Sequence, residues 1–250
     1  MKIIVTKSYE ESCRTVAEEI IKQVKENPSS KLGLATGGTA ENVYPFLVDA
    51  YKEGKVDFSG ISTVNLDEYI GMDPSSPQSY RQCMDSWFFD QVEIDKEKTY
   101  CPSGMNKPED EIKVFNEKLY GDKMVDLQLL GVGVSGHIGF NEPGDAFIAD
   151  THCVQLTEST VEANSRFFRS KEEVPKEAYS MGIKGIMQAR HIILLASGKQ
   201  KAQALYEAVY GEITPRVPAS ILKLHPHTVV FADEDALSVI KEKHKLSEAS

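Results

Sequence analysis

A chain of 250 residues with 41% hydrophobic and 26% charged positions can bury one large core, which favours a single α/β domain over residues 1–250 rather than two small ones. Its formal net charge of -10 argues against nucleic acid and anionic membranes as partners, and an anionic substrate would need local positive charge. Cys13, Cys83, Cys101 and Cys153 show no C-x-x-C spacing, and no signal-peptide core or apolar run of about 18 residues is present, so the expectation is a cytoplasmic protein with free thiols and no structural zinc.

Residues 2–6 read as a short buried strand. Cys13, Val16, Ala17, Ile20, Ile21 and Val24 then recur at the spacing of a helix with one apolar face. Strand-like runs follow at 31–35, 61–66, 125–130, 192–196 and 228–232, and helical patterns cover 41–55, 78–91, 109–119 and 199–210. Strands separated by helices of this length need crossovers, which predicts a doubly wound, mainly parallel sheet. The polar stretch 241–250 reads as a frayed end.

After the second strand comes Ala35-Thr-Gly-Gly-Thr39, followed by a helix with Pro45 near its first turn. Consecutive amides of Gly37, Gly38 and Thr39, with the positive end of that helix, suit an oxyanion, although Thr39 could equally cap a tight strand-to-helix turn. No Walker lysine follows, which disfavours a nucleoside triphosphate. The third strand runs into Asn65-Leu-Asp-Glu-Tyr-Ile-Gly71. Neighbouring strand side chains point to opposite faces, so Asp67 is assigned to the crevice and Glu68 to a supporting role, with capping of the next segment as the alternative for both.

The run Gly131-Val-Gly-Val-Ser-Gly-His-Ile-Gly-Phe-Asn-Glu-Pro-Gly144 places His137 and Glu142 in a glycine-rich turn at the end of a strand, where open α/β sheets keep their ligands. Gly131, Gly133 and Gly136 spell G-x-G-x-x-G, but Gly139, Pro143 and Gly144 interrupt the helix that a dinucleotide site requires. Glu142 can fix the tautomer of His137 and stabilise its protonated form. Metal binding by the pair lacks an evident third and fourth ligand. Arg166, in Ala163-Asn-Ser-Arg-Phe-Phe168, and Lys201 are the cations best placed to supply positive field; Lys199 competes with Lys201, and a solvated surface cation is the ordinary alternative for each.

Thr36-Gly-Gly-Thr39, Asn65-Leu-Asp-Glu-Tyr-Ile-Gly71, Gly136-His-Ile-Gly-Phe-Asn-Glu-Pro143, Ala163-Asn-Ser-Arg-Phe-Phe168 and Pro218-Ala-Ser-Ile-Leu222 together resemble the glucosamine-6-phosphate deaminase family, in order and spacing over nearly the whole chain. The resemblance implies a Rossmann-like α/β fold, no organic cofactor, and conversion of D-glucosamine 6-phosphate and water to D-fructose 6-phosphate and ammonia. It implies that Asp67 moves the C2 proton to C1 and that His137, oriented by Glu142, opens the sugar ring. It also implies that Gly38, Thr39, Arg166 and Lys201, beside Gly37, hold the phosphate.

The chain departs from the family pattern at Ser135, where many members carry Asp and some shorter ones Asn; a hydroxyl hydrogen-bonds there but brings no charge. Where allosteric members keep basic residues after Glu142, this chain has Asp145, Asp150, His152 and Val154, so the resemblance implies a form without activation by an amino-sugar phosphate, as a monomer or a homo-oligomer. Three rivals remain. A galactosamine-6-phosphate deaminase would use the same chemistry. A 6-phosphogluconolactonase shares the Gly-His turn but usually continues Thr-Ala-Ser-Leu-Phe-Pro and needs no C2 base. A sugar-phosphate-sensing regulator would ordinarily add a helix-turn-helix.

Overall fold

The computed structural model describes residues 1–121 and 123–244. Seven strands form one sheet in the order β1 (Lys2–Thr6), β10 (Thr228–Asp233), β9 (His191–Ala196), β6 (Leu127–Gly131), β2 (Lys31–Leu34), β3 (Ser62–Asn65) and β5 (Thr99–Tyr100), and every pairing in it is parallel. The central strands are buried along almost their full length, as the doubly wound Rossmann-like α/β arrangement requires of strands covered on both faces. The longest described helix is α1 (Tyr9–Glu26), whose start is fixed by Ser8: its hydroxyl accepts from the Glu11 amide at 3.2 Å, with Glu10 and Glu11 in the first turn and Lys25 in the last. Cys13, Val16, Ala17, Ile20 and Val24 form its buried stripe.

The other helices are α2 (Tyr44–Lys52), α3 (Tyr80–Met84), α4 (Pro108–Tyr120), α5 (Glu158–Asn164), α6 (Ile183–Met187), α7 (Ala202–Tyr210) and α8 (Ser238–His244). None of the described helices is long and apolar enough to cross a membrane. The pattern over 41–55 resolves into a 3₁₀ turn, Glu41–Val43, and then α2, with Pro45 in its first turn where a missing N–H costs nothing. The helix expected over 78–91 is α3, capped by Ser79 and continued as a π-turn, Asp85–Phe89, which swings Phe88 and Phe89 into the core. Residues 241–244 of the expected frayed end belong to α8, while 245–250 lie outside the described residues.

A second, antiparallel sheet was not anticipated. Its order is β4 (Asp67–Tyr69), β8 (Glu177–Ser180) and β7 (His152–Gln155), with Asp67 opposite Ser180 and Cys153 opposite Tyr179. The strand expected over 61–66 stops at Asn65; Leu66 then bonds sideways, its amide to Leu34 at 3.2 Å and its carbonyl to the Met181 amide at 2.7 Å, and Asp67 starts a strand of the other sheet. A satellite cluster of Tyr69, Phe140, Leu156, Val161, Val174 and Ala178 packs against this small sheet, apart from the main core.

The strand order locates the ligand crevice. The connection after β2 leads to β3 on one side, and the connection after β6 leads to β9 on the other, although β2 and β6 are neighbours. Such a reversal leaves a gap at the carboxyl ends of the two strands, and the two glycine-rich loops border it.

Candidate active site

One cleft opens at this gap. Gly37, Gly38 and Thr39 border it after β2, Gly133 and His137 after β6, and Asp67, Arg166 and Lys201 close it from other elements. Ser135 and Glu142 do not line it; both stand behind His137.

At one end the backbone is shaped for an anion. Gly37 has φ 85°, a left-handed conformation that favours glycine. The Tyr9 hydroxyl, from α1, lies 2.8 Å from the Gly38 carbonyl and 3.0 Å from that of Thr39, drawing both towards the helix. The amides of Gly37, Gly38 and Thr39 donate to no protein group among the described residues. A Cβ on Gly38 would lie 2.5 Å from Arg166 Nη2, so only glycine lets that guanidinium reach the loop. Arg166 also stacks on Phe167, 4.7 Å from ring centroid to Cζ.

Lys201, in the 3₁₀ turn leading into α7, faces the same end, whereas Lys199 is exposed. Burial, reinforced by the charge of Arg166, lowers the Lys201 pKa to about 8. Among the described residues neither cation has a carboxylate within ion-pair distance. In a chain with a net charge of -10, two neighbouring cations left without an acid define a place for an external anion.

At the other end are the titratable groups. Asp67 is 7% exposed, and burial raises its pKa to about 7, so its carboxylate is a far better base than an exposed one. Its Oδ2 lies 3.5 Å from the position a Cβ on Gly139 would take, which brings it against the His137 loop. Glu68 points the other way, as strand alternation requires: its carboxylate accepts from the Tyr69 amide at 2.9 Å and the Arg81 amide at 3.1 Å and so anchors the start of α3. Burial lifts its pKa to about 8 against those two bonds.

The His137 ring lies flat over Gly133, where a Cβ would come within 2.2 Å of ring atoms. Its Nδ1 is 3.0 Å from Ser135 Oγ and 3.4 Å from Glu142 Oε2. Burial of Glu142 would raise its pKa, but the hydrogen bond and charge of His137, with bonds from Thr160 and Thr157 to Oε1, hold it below the usual carboxylate range. An ionised Glu142 favours a proton on Nδ1 and leaves Nε2 as the basic atom towards the cleft. The turn itself is pinned by Asn141, whose Nδ2 donates to the carbonyls of Ile138 and Met181, each at 2.8 Å.

All nine residues singled out from the sequence therefore gather at this cleft or directly behind it. Sequence reading missed Tyr80, Phe140, Thr160 and Asn164, which also line it. Thr160 reaches Glu142 only because α5 packs across the loop, and no local pattern announces that. Among the described residues no group of three or more His, Cys, Asp or Glu is placed to hold a metal ion. After β6 the next helix is α5, so the glycines of 131–136 do not open a helix as a dinucleotide site would.

Comparison with known proteins adds to this geometry. The family described as glucosamine-6-phosphate isomerases/6-phosphogluconolactonase matches residues 6–231. The chain is 47% identical over 244 residues to the glucosamine-6-phosphate deaminase of Thermoanaerobacter pseudethanolicus, covering 97% of this chain and 96% of that one. It is 48% identical to that of Clostridium botulinum, covering 97% and 100%. A solved structure described as a monomeric glucosamine-6-phosphate deaminase superposes with a TM-score of 0.93 at 40% identity, covering 96% of this chain and 100% of that one. A 6-phosphogluconolactonase from Trypanosoma brucei shares the fold alone, with a TM-score of 0.76 at 15% identity over 96% and 98% of the two chains.

Proposed function

The chain belongs to the family of glucosamine-6-phosphate isomerases and 6-phosphogluconolactonases, standing among its glucosamine-6-phosphate deaminases, and from that premise we propose that it converts D-glucosamine 6-phosphate and water to D-fructose 6-phosphate and ammonia. The observation that carries this reading is the union in one cleft of an acid-free pair of cations with a carboxylate whose pKa is raised to about 7.

The amides of Gly37, Gly38 and Thr39 take the 6-phosphate together with Arg166 and Lys201, which sets the reacting carbons at the far end of the cleft. His137 Nε2 takes the proton of the anomeric hydroxyl and returns one to the ring oxygen, so the pyranose opens to the aldehyde. Glu142 stabilises the imidazolium formed between the two transfers, and Ser135 orients the ring by its hydroxyl without adding charge. Asp67 then removes the C2 proton. The C2–H electron pair forms the C1–C2 double bond of an enolamine, and the aldehyde oxygen takes a proton from solvent water to become a hydroxyl. Return of the proton from Asp67 to C1 gives an iminium at C2, which adds water, gives a proton back to solvent and expels ammonia. No step calls for a cofactor or a metal.

A lactonase reaction has no C2 proton to move and leaves the buried Asp67 without a task. The same residues could process the galactosamine isomer, which differs only at C4. We further take residues 1–250 as one domain acting in the cytoplasm, as a monomer or homo-oligomer, without activation by an amino-sugar phosphate. Ammonia and ketose phosphate measured together from both amino-sugar phosphates test the reading. Equimolar ammonia and fructose 6-phosphate, at higher kcat/KM with the glucosamine isomer, is the expected result. Preference for the galactosamine isomer would reassign the substrate, and no ammonia from either would end the proposal.

A further inference from the structure

The hydroxyl of Tyr69 plays no part in these steps, yet it stands where two parts of the cleft meet. Tyr69 is 1% exposed and lies on β4, two residues beyond Asp67. Its Oη accepts a hydrogen bond from Asn164 Nδ2 at 2.9 Å and lies 3.2 Å from the Tyr80 hydroxyl. Asn164 ends α5, two residues before Arg166. A buried strand that carries the carboxylate thus grips, through one directional bond, the segment that carries a phosphate-binding cation.

Thr157 and Thr160 tie the start of α5 to Glu142 and Val161 anchors it in the satellite cluster, but among the described residues the segment's only hydrogen bond to β4 is the one from Asn164 to Tyr69. Arg166 forms no ion pair among the described residues; it rests on the Phe167 ring and the bare backbone of Gly38. Phe168 packs edge-on against Tyr69 with centroids 5.8 Å apart, a contact that holds the segment near but allows it to slide. A hydrogen bond tolerates far less displacement, weakening steeply as its angle closes.

We propose that the Asn164–Tyr69 hydrogen bond is a positioning pair for the reaction: anchored on the strand that carries Asp67, it fixes the register of the segment so that the Arg166 guanidinium reaches the phosphate at Gly38. This rests on the reading of Arg166 as a phosphate ligand. Tyr69 and Asn164 touch neither the phosphate nor the reacting carbons in this account, and their effect passes through Arg166.

Tyr69→Phe keeps the ring and removes the oxygen. The KM for glucosamine 6-phosphate and the inhibition constant of inorganic phosphate, used as a competitive probe, are both expected to rise about 3- to 10-fold, the worth of one neutral hydrogen bond. A side chain with only a structural role would not produce that paired shift with kcat held within about threefold. Asn164→Ala should reproduce it, and the double variant should be no worse than either single one, because both remove the same bond. Asn164 is only partly buried, so its variant carries the test if Tyr69→Phe does not fold. Unchanged constants in the variants that fold, or additive losses in the double variant, overturn the proposal. Arg166→Ala separates the two ideas: if it leaves phosphate inhibition unchanged, the phosphate reading fails and the pair falls with it. If it weakens inhibition while Tyr69→Phe does not, the pair alone fails.

Discussion

The two sheets contribute to the cleft in different ways. The seven-stranded sheet supplies loops at strand ends: the Gly37–Thr39 turn, the His137 turn and, after β9, Lys201. The three-stranded sheet supplies Asp67 from within a strand and, through α5, Arg166 and the threonines that hold Glu142. The first stands on a large core and the second on a satellite cluster of six buried residues. Each of the two tasks, holding phosphate and moving protons, draws on both sheets, so the site exists only where the small sheet is docked on the large one.

Variants can break that division at several points. His137→Asn removes the ring-opening group of the large sheet and should lower turnover by about 10² to 10⁴. With ring opening made limiting, the kinetic isotope effect from deuterium at C2 should disappear; a persisting full effect would move His137 out of that step. Arg166→Ala and Lys201→Ala take one cation from each sheet, and each should cost roughly 10- to 150-fold in kcat/KM, the range for a charge-assisted hydrogen bond. A strong loss from only one would mean that a single sheet holds the phosphate.

Docking itself is tested by Leu156→Ala in the satellite cluster. A core leucine cut to alanine costs about 2–5 kcal/mol. If the small sheet can be loosened alone, activity should vanish in denaturant before far-UV circular dichroism does. Coincident transitions would show that the two sheets unfold together. Acidity sharpens the contrast further. Asp67 must be ionised, and its raised pKa of about 7 means that kcat/KM falls as pH drops through that value. Lys201 must be charged, and its lowered pKa of about 8 means that kcat/KM falls again as pH rises past it. Lys201→Arg should move only the basic limb upward, since arginine keeps its charge.

What could be read from the sequence follows the same line. Parallel strands appear as short apolar runs, and 2–6, 31–35 and 192–196 match β1, β2 and β9 within a residue, but β1 is not the buried strand expected: at the edge of the sheet only its Thr6 is buried. The loops after β2 and β6 announce themselves by glycines that a close approach requires at Gly38 and Gly133. The small sheet gives no such signal. Asp67, Glu68 and Tyr69 are all buried and carry two acids, and β7 is half exposed; their strand state comes from pairing with β8, more than a hundred residues away in the case of β4. Asp67 nevertheless lines the cleft while Glu68 turns away, since side-chain alternation operates whichever sheet the strand joins. Thr160, Asn164 and Tyr80 depend on contacts across that docking, and no periodicity encodes those.

Asp67→Asn examined for C2 chemistry tests the account most directly. The variant should fold and bind glucosamine 6-phosphate, while ammonia release falls by at least about 10². In the reverse direction, from fructose 6-phosphate and ammonia in D₂O, the unaltered enzyme should place deuterium at C2 of the amino sugar, in part if the C1 proton is passed on internally, and the variant should not. Sustained ammonia release by Asp67→Asn at a near-normal rate would remove the buried carboxylate from the mechanism and leave the central claim without its base.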